Sequence, residues 1–131
     1  MRATAHRAGN SFRHDLEVRR HNLTSDEPEE HGGHDSGPNP QELLAASLAS
    51  CSAITMEMYA RRKGWDVGEV TVDVDYEPAQ RGSPTKFRID VRLPKELPDD
   101  QREKLMQVVA KCPVHRTLEG EVMFEERVEL V

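Results

Sequence analysis

Apolar residues near the start of the chain recur at every second position. Phe12, His14, Leu16 and Val18 share one face, and Arg13, Asp15 and Glu17 share the other. This is the period of a strand with one covered side. Gly9-Asn10 reads as the turn joining this strand to a shorter one before it. The pattern stops between residues 24 and 39. That stretch, Thr-Ser-Asp-Glu-Pro-Glu-Glu-His-Gly-Gly-His-Asp-Ser-Gly-Pro-Asn, is polar, acidic at its start and punctuated by Gly and Pro. It reads as a loop of a length that often carries function.

From Pro40 the period becomes helical. Asn39 suits the cap, Pro40 the first helical position, and Glu42 lies three residues after Asn39 as in a capping box. Leu44, Leu48, Cys51, Thr55 and Met58 follow at steps of four and three, which places Cys51 on the expected buried stripe. Arg61, Arg62 and Lys63 suit the negative end of the helix dipole, and Gly64 ends the helix. Trp65 is expected to cover that end. The many small residues from Ala45 to Ala53 permit close approach by another backbone. Val70, Val72, Val74 and Tyr76, then Phe87, Ile89, Val91 and Leu93, alternate with polar residues on either side of a turn at Pro78–Pro84, and so predict a hairpin. A second helix is expected from Asp99 or Asp100, with capping-box spacing to Glu103. Leu105, Val108, Val109 and Cys112 form its apolar face, and Pro113 ends it. Val122, Phe124, Val128 and Leu130 predict a last strand, interrupted by Glu126 at a bulge or sheet edge.

Strands, helix, two strands, helix, strand is the order of an α+β domain with mostly antiparallel sheet packed on helices. The 131 residues fit one domain, 1–131. With 36% hydrophobic and 32% charged residues the core is lean, which leaves room for an oligomer to supply part of it. A net charge of −6 argues against a nucleic-acid partner, because phosphate binding needs a basic face. No uninterrupted apolar run reaches membrane-spanning length. The N-terminal Met1-Arg-Ala-Thr-Ala-His-Arg lacks the apolar core of a signal peptide. The expectation is a cytoplasmic protein without a membrane partner, where an oxidised cysteine pair is more often catalytic than structural.

Cys51 and Cys112 are the two cysteines. They are either small core hydrophobes or, if the fold brings them together, a long-range redox couple. Cys51 lies too far into its helix for the N-terminal dipole to activate it, so a thiolate there needs a cation. Arg7, Arg13, Arg19 and Arg20 on the N-terminal strands are candidates. His31 and His34 with Cys112 and His115 offer four ligands of the kind zinc prefers. Loop and helix-end histidines explain them more simply, and no metal or cofactor is expected. Glu42 is a candidate catalytic acid with a competing role as helix cap.

The segment from Asp26 to Cys51 resembles the central signature of the OsmC/Ohr proteins. Met56-Glu-Met-Tyr-Ala-Arg-Arg-Lys-Gly-Trp65 is similar to the same helix in the OsmC-like branch, and Cys112-Pro-Val-His-Arg-Thr-Leu118 to that branch's second cysteine motif. The resemblance spans roughly residues 20–131. It implies an OsmC-like fold, with sheets wrapped around two central helices in an intertwined homodimer and active sites at the interface. It also implies thiol-dependent reduction of organic hydroperoxides. Cys51 would attack the peroxide, and Cys112 would resolve the product to a disulfide that an external dithiol reduces. In that family a catalytic glutamate directly follows the Asn-Pro pair; Gln41 holds that place here and Glu42 comes next. Arg7 or Arg13 would stand for the family's thiolate-stabilising arginine. The alternative is a non-catalytic module that binds a small molecule or a thiol compound in the same pocket.

Overall fold

A computed structural model describes all 131 residues. Their contacts divide into two compact units, Met1–Ala46 and Ser47–Val131.

The first unit holds a three-stranded antiparallel sheet of β1 (Thr4–Arg7), β2 (His14–Val18) and β3 (His21–Ser25), in that spatial order. Ala5 faces Leu16, and Leu16 faces Leu23. His14, Leu16 and Val18 are the half-buried side, as their alternation predicts, whereas Phe12 precedes the strand and is exposed. Gly9, at φ +88°, turns the chain between β1 and β2. Val18 pairs with His21 across the two residues Arg19 and Arg20, and Arg19 takes a left-handed φ of +54°. Two-residue hairpins demand that conformation, usually from Asn or Gly, so a sequence reading looking for those residues does not mark this turn. β3 consequently runs two residues into the stretch expected to be loop.

That loop is compact. Ser25 Oγ donates to the Pro38 carbonyl at 3.1 Å, and the Asp26 amide donates to the same oxygen at 3.2 Å. The end of β3 is thereby clasped to the residues that start α1 (Pro40–Lys63). The capping box forms as predicted: the Glu42 amide donates to Asn39 Oδ1 at 2.8 Å, and the Asn39 amide donates to Glu42 Oε1 at 2.9 Å.

The second unit contains most of α1, the antiparallel pair β4 (Thr71–Glu77) and β5 (Lys86–Arg92), α2 (Asp99–Val109) and α3 (Pro113–Glu119). Val72 pairs with Val91, Val74 with Ile89, and Tyr76 with Phe87, whose rings stack at 4.6 Å. On the outer face Asp73 lies opposite Asp90, a like-charge pair relieved by Arg92, 2.8 Å from Asp73, and Arg88, 3.4 Å from Asp90. Met56 and Ala60 of α1, Val67, and Leu105 and Val109 of α2 form the buried cluster. Ile89, Val91 and Leu93 pack against it from the hairpin side. Trp65 closes it beside Tyr59, edge-on at 5.7 Å.

Five expectations are corrected by the structure. The buried line of α1 is Leu48, Ser52, Met56 and Ala60, which shares only Leu48 with the expected stripe; Cys51 is half-buried and Met58 exposed. Ala and Ser spread almost evenly around this helix, so its apolar asymmetry is too faint to fix the register. The second helix stops at Val109, and its start has no side-chain cap, so the expected Asp100–Glu103 box does not form. Cys112 must be extended because it precedes proline, and Pro113 then begins α3 rather than ending a helix. Residues 121–131 form no strand. Lastly, α1 does satisfy the length and composition of a membrane span, with a window of mean hydropathy 1.3. Its alanines and leucines lift the average although serines interrupt every apolar run.

Candidate active site

The register of α1 and the proline break after α2 together build one buried polar site. Cys51 and Ser52 are neighbours on α1, turned about 100° from each other around the axis. Cys51 sits at the edge of the buried face and Ser52 in its middle, at 0% exposure. Cys112, also at 0%, occupies the N-cap position of α3. Both cysteines are free thiols.

Cys112 Sγ has three polar neighbours. The His115 amide donates to it at 3.4 Å, the Ser52 hydroxyl lies 3.9 Å away, and the Cys51 thiol, one residue before Ser52 on α1, is near enough to act on its ionisation. Burial pushes the Cys112 thiol above its ordinary pKa, and the Cys51 side chain adds to that push, while the His115 amide and the Ser52 hydroxyl act in the opposite sense. Cys112 is therefore a protonated, sheltered thiol beside a more accessible one. A small reagent reaches Cys51 first. Any bond Cys112 makes is then with its immediate neighbour.

His115 forms the third side. Its Nδ1 is buried without an aligned hydrogen bond, although Glu119 Oε1 lies 3.1 Å away. The proposed metal set does not assemble: no group of three or more His, Cys, Asp or Glu side chains is placed to hold an ion.

The remaining sequence candidates belong to the first unit. Arg7 Nη2 donates to the Asn10 carbonyl at 3.1 Å across the β1–β2 turn. Arg13 pairs with Asp15 at 3.4 Å. Glu42 caps α1, as described above. Two polar residues escaped the sequence reading. Ser52 was legible only as the one polar member of the i, i+4 line Leu48, Ser52, Met56, Ala60. Asp26 was hidden among acidic loop neighbours. It is 2% exposed and accepts from the amides of Glu27, His34 and Ser36 at 2.8, 3.2 and 3.1 Å and from Ser36 Oγ at 2.6 Å.

A sequence model of the OsmC-like protein family matches residues 33–127, which contain both cysteines and all of α1 and α2. The chain belongs to the OsmC-like family. Solved structures share its fold. A Psychrobacter arcticus protein, whose name refers to osmotic stress and detoxification, superposes with a TM-score of 0.76 at 23% identity, over 88% of this chain and 85% of its own. The organic hydroperoxide resistance protein OhrB of Bacillus subtilis gives 0.60 at 20% identity, over 91% and 90%. A Vibrio cholerae protein named for organic hydroperoxide resistance, with captopril bound in one of its active sites, gives 0.65 at 21% identity, over 92% and 85%. This OsmC-like chain thus keeps the α+β architecture of its relatives.

Proposed function

We propose that this OsmC-like chain is a thiol-dependent peroxidase that reduces organic hydroperoxides. The observation that carries the reading is the pairing of a half-exposed thiol, Cys51, with a fully buried one, Cys112, as immediate neighbours. The hydroperoxide-resistance names of the Bacillus and Vibrio proteins support the choice of substrate class.

The Cys51 thiolate attacks the outer peroxide oxygen. An S–O bond forms, the O–O bond breaks, and the alkoxide leaves and takes up a proton as the alcohol. Cys51 is then a sulfenic acid. Cys112 gives up its proton and attacks the Cys51 sulfur. The S–S bond forms, the S–O bond breaks, and hydroxide leaves to become water with that proton. An external dithiol restores both thiols by two exchanges, so two electrons pass from dithiol to peroxide. The working unit is a homodimer.

Adding cumene hydroperoxide to the reduced protein should remove both free thiols and both thiol hydrogens from the intact mass. Cys51→Ser should reduce peroxide consumption with dithiothreitol to the buffer rate. Cys112→Ser should still react once and should hold a trappable sulfenic acid. Equal, slow consumption by the parent and Cys51→Ser would sink the proposal. The captopril in the Vibrio active site favours a second reading, a module that binds thiol compounds without turnover. Saturable binding of captopril without peroxide consumption would select it.

A further inference from the structure

Ser52 has no part in the reaction as written, yet it is the one polar side chain on the buried line of α1. A hydroxyl at 0% exposure is costly unless it has a partner. Its partner here is a sulfur atom, Cys112 Sγ, at 3.9 Å. While Cys112 is a thiol, either group can donate. Once Cys112 is a thiolate, only Ser52 can, and an O–H···S contact to an anion is shorter and stronger than one to a thiol. The His115 amide, in the first turn of the helix that Cys112 caps, donates to the same sulfur at 3.4 Å. Two donors therefore converge on a sulfur that water does not reach. The helix couples them to the first thiol, because Ser52 directly follows Cys51.

We propose that Ser52 is a positioning residue for the second thiol: its hydroxyl orients Cys112 Sγ toward Cys51 and donates to the Cys112 thiolate, so that disulfide closure depends on it. This deepens, and rests on, the reading of Cys51 and Cys112 as a redox couple. The same contact serves both directions. In closure, Ser52 stabilises the attacking thiolate. In reduction, a dithiol attacks the accessible Cys51 sulfur, the S–S bond breaks, and Cys112 leaves as the thiolate that Ser52 and the His115 amide receive. The timing also follows. The like charge of a Cys51 thiolate opposes ionisation of Cys112, and that opposition ends when Cys51 becomes an uncharged sulfenic acid or a mixed disulfide.

The test separates closure from peroxide chemistry. Glutathione disulfide converts Cys51 of the full chain to a mixed disulfide; Cys112 then displaces glutathione, and its release reports closure. Ser52→Ala should slow closure by about tenfold or more and move its pH midpoint upward, with a smaller effect on the first exchange at Cys51. Ser52→Thr, which keeps the hydroxyl, should stay nearer the parent in both rate and midpoint. Circular dichroism and thermal unfolding verify that each variant folds. Closure of Ser52→Ala at the parent rate and midpoint overturns the proposal. So does equal slowing of Ala and Thr variants with no midpoint shift, since that marks packing rather than the hydroxyl. A parent that never closes overturns both this inference and the redox couple. Ser52-dependent closure without peroxide consumption leaves the inference standing and removes the peroxidase reading alone.

Discussion

Asp26 directs its whole carboxylate at the loop it belongs to. Four donors from Glu27, His34 and Ser36 surround it, and the Ser36 hydroxyl is the largest cause of its lowered pKa, about 2 against an ordinary 3.8. The backbone allows no slack around this clamp: a Cβ on Gly33 would lie 1.9 Å from the Glu27 carbonyl oxygen. Because the folded pKa lies below the unfolded one, Asp26 stabilises the fold at pH values above 3.8, and this contribution is lost as pH falls through about 2. Asp26→Asn should lower the unfolding temperature at neutral pH, and the curves of parent and variant should converge on acidification across that window. Parallel curves down to the lowest pH would contradict the clamp. Nothing in residues 24–39 announces this role, because seven other acidic or Ser/Thr side chains there could equally serve and only the folded loop selects one.

Among the elements, those whose pattern was strong were legible and those set by backbone restraint were not. The Asn39–Glu42 box and the β4–β5 alternation follow directly from residue spacing, and the structure places both as expected. α1 was legible in extent but not in register, since Ala and Ser occupy positions on every side of it. α3 was missed because Pro113 reads equally as a stop and as a start. That ambiguity matters for the site, for it makes Cys112 a cap on a new helix instead of the last turn of an old one. α2 offers a direct test of the observed core. Leu105 is 1% exposed within the buried cluster, whereas Met106, next to it, faces solvent. Leu105→Ala should destabilise the chain by about 2–5 kcal/mol. Met106→Ala should stay within about 0.5 kcal/mol. Urea unfolding measures both, and similar losses at the two positions would mean that the helix is rotated from the register described.

For the whole molecule, the telling feature is apolar surface left in solvent. Residues 121–131 keep the strand-like spacing of Val122, Phe124, Val128 and Leu130, with Phe124 at 80% exposure, yet form no strand. Alternation marks which side chains want cover, but a strand also needs an edge to pair with. Within this one chain those residues pair with none, although both sheets leave edge strands open. On α1, Ile54 and Met58 are likewise exposed, on a helix whose small residues allow another backbone to approach. Solvating so much apolar area costs about 25 cal/mol per Å², and a second copy relieves it on both chains at once, as the homodimer proposed above requires. Sedimentation equilibrium should accordingly give about twice the 14.9 kDa chain mass at micromolar concentration. Replacing Phe124 and Val128 together by Glu should weaken the association by about tenfold or more, leaving the Leu105 core and its urea transition largely in place. A parent that sediments at the single-chain mass would remove the homodimer, and unchanged association in the Glu variant would exclude the tail from its interface.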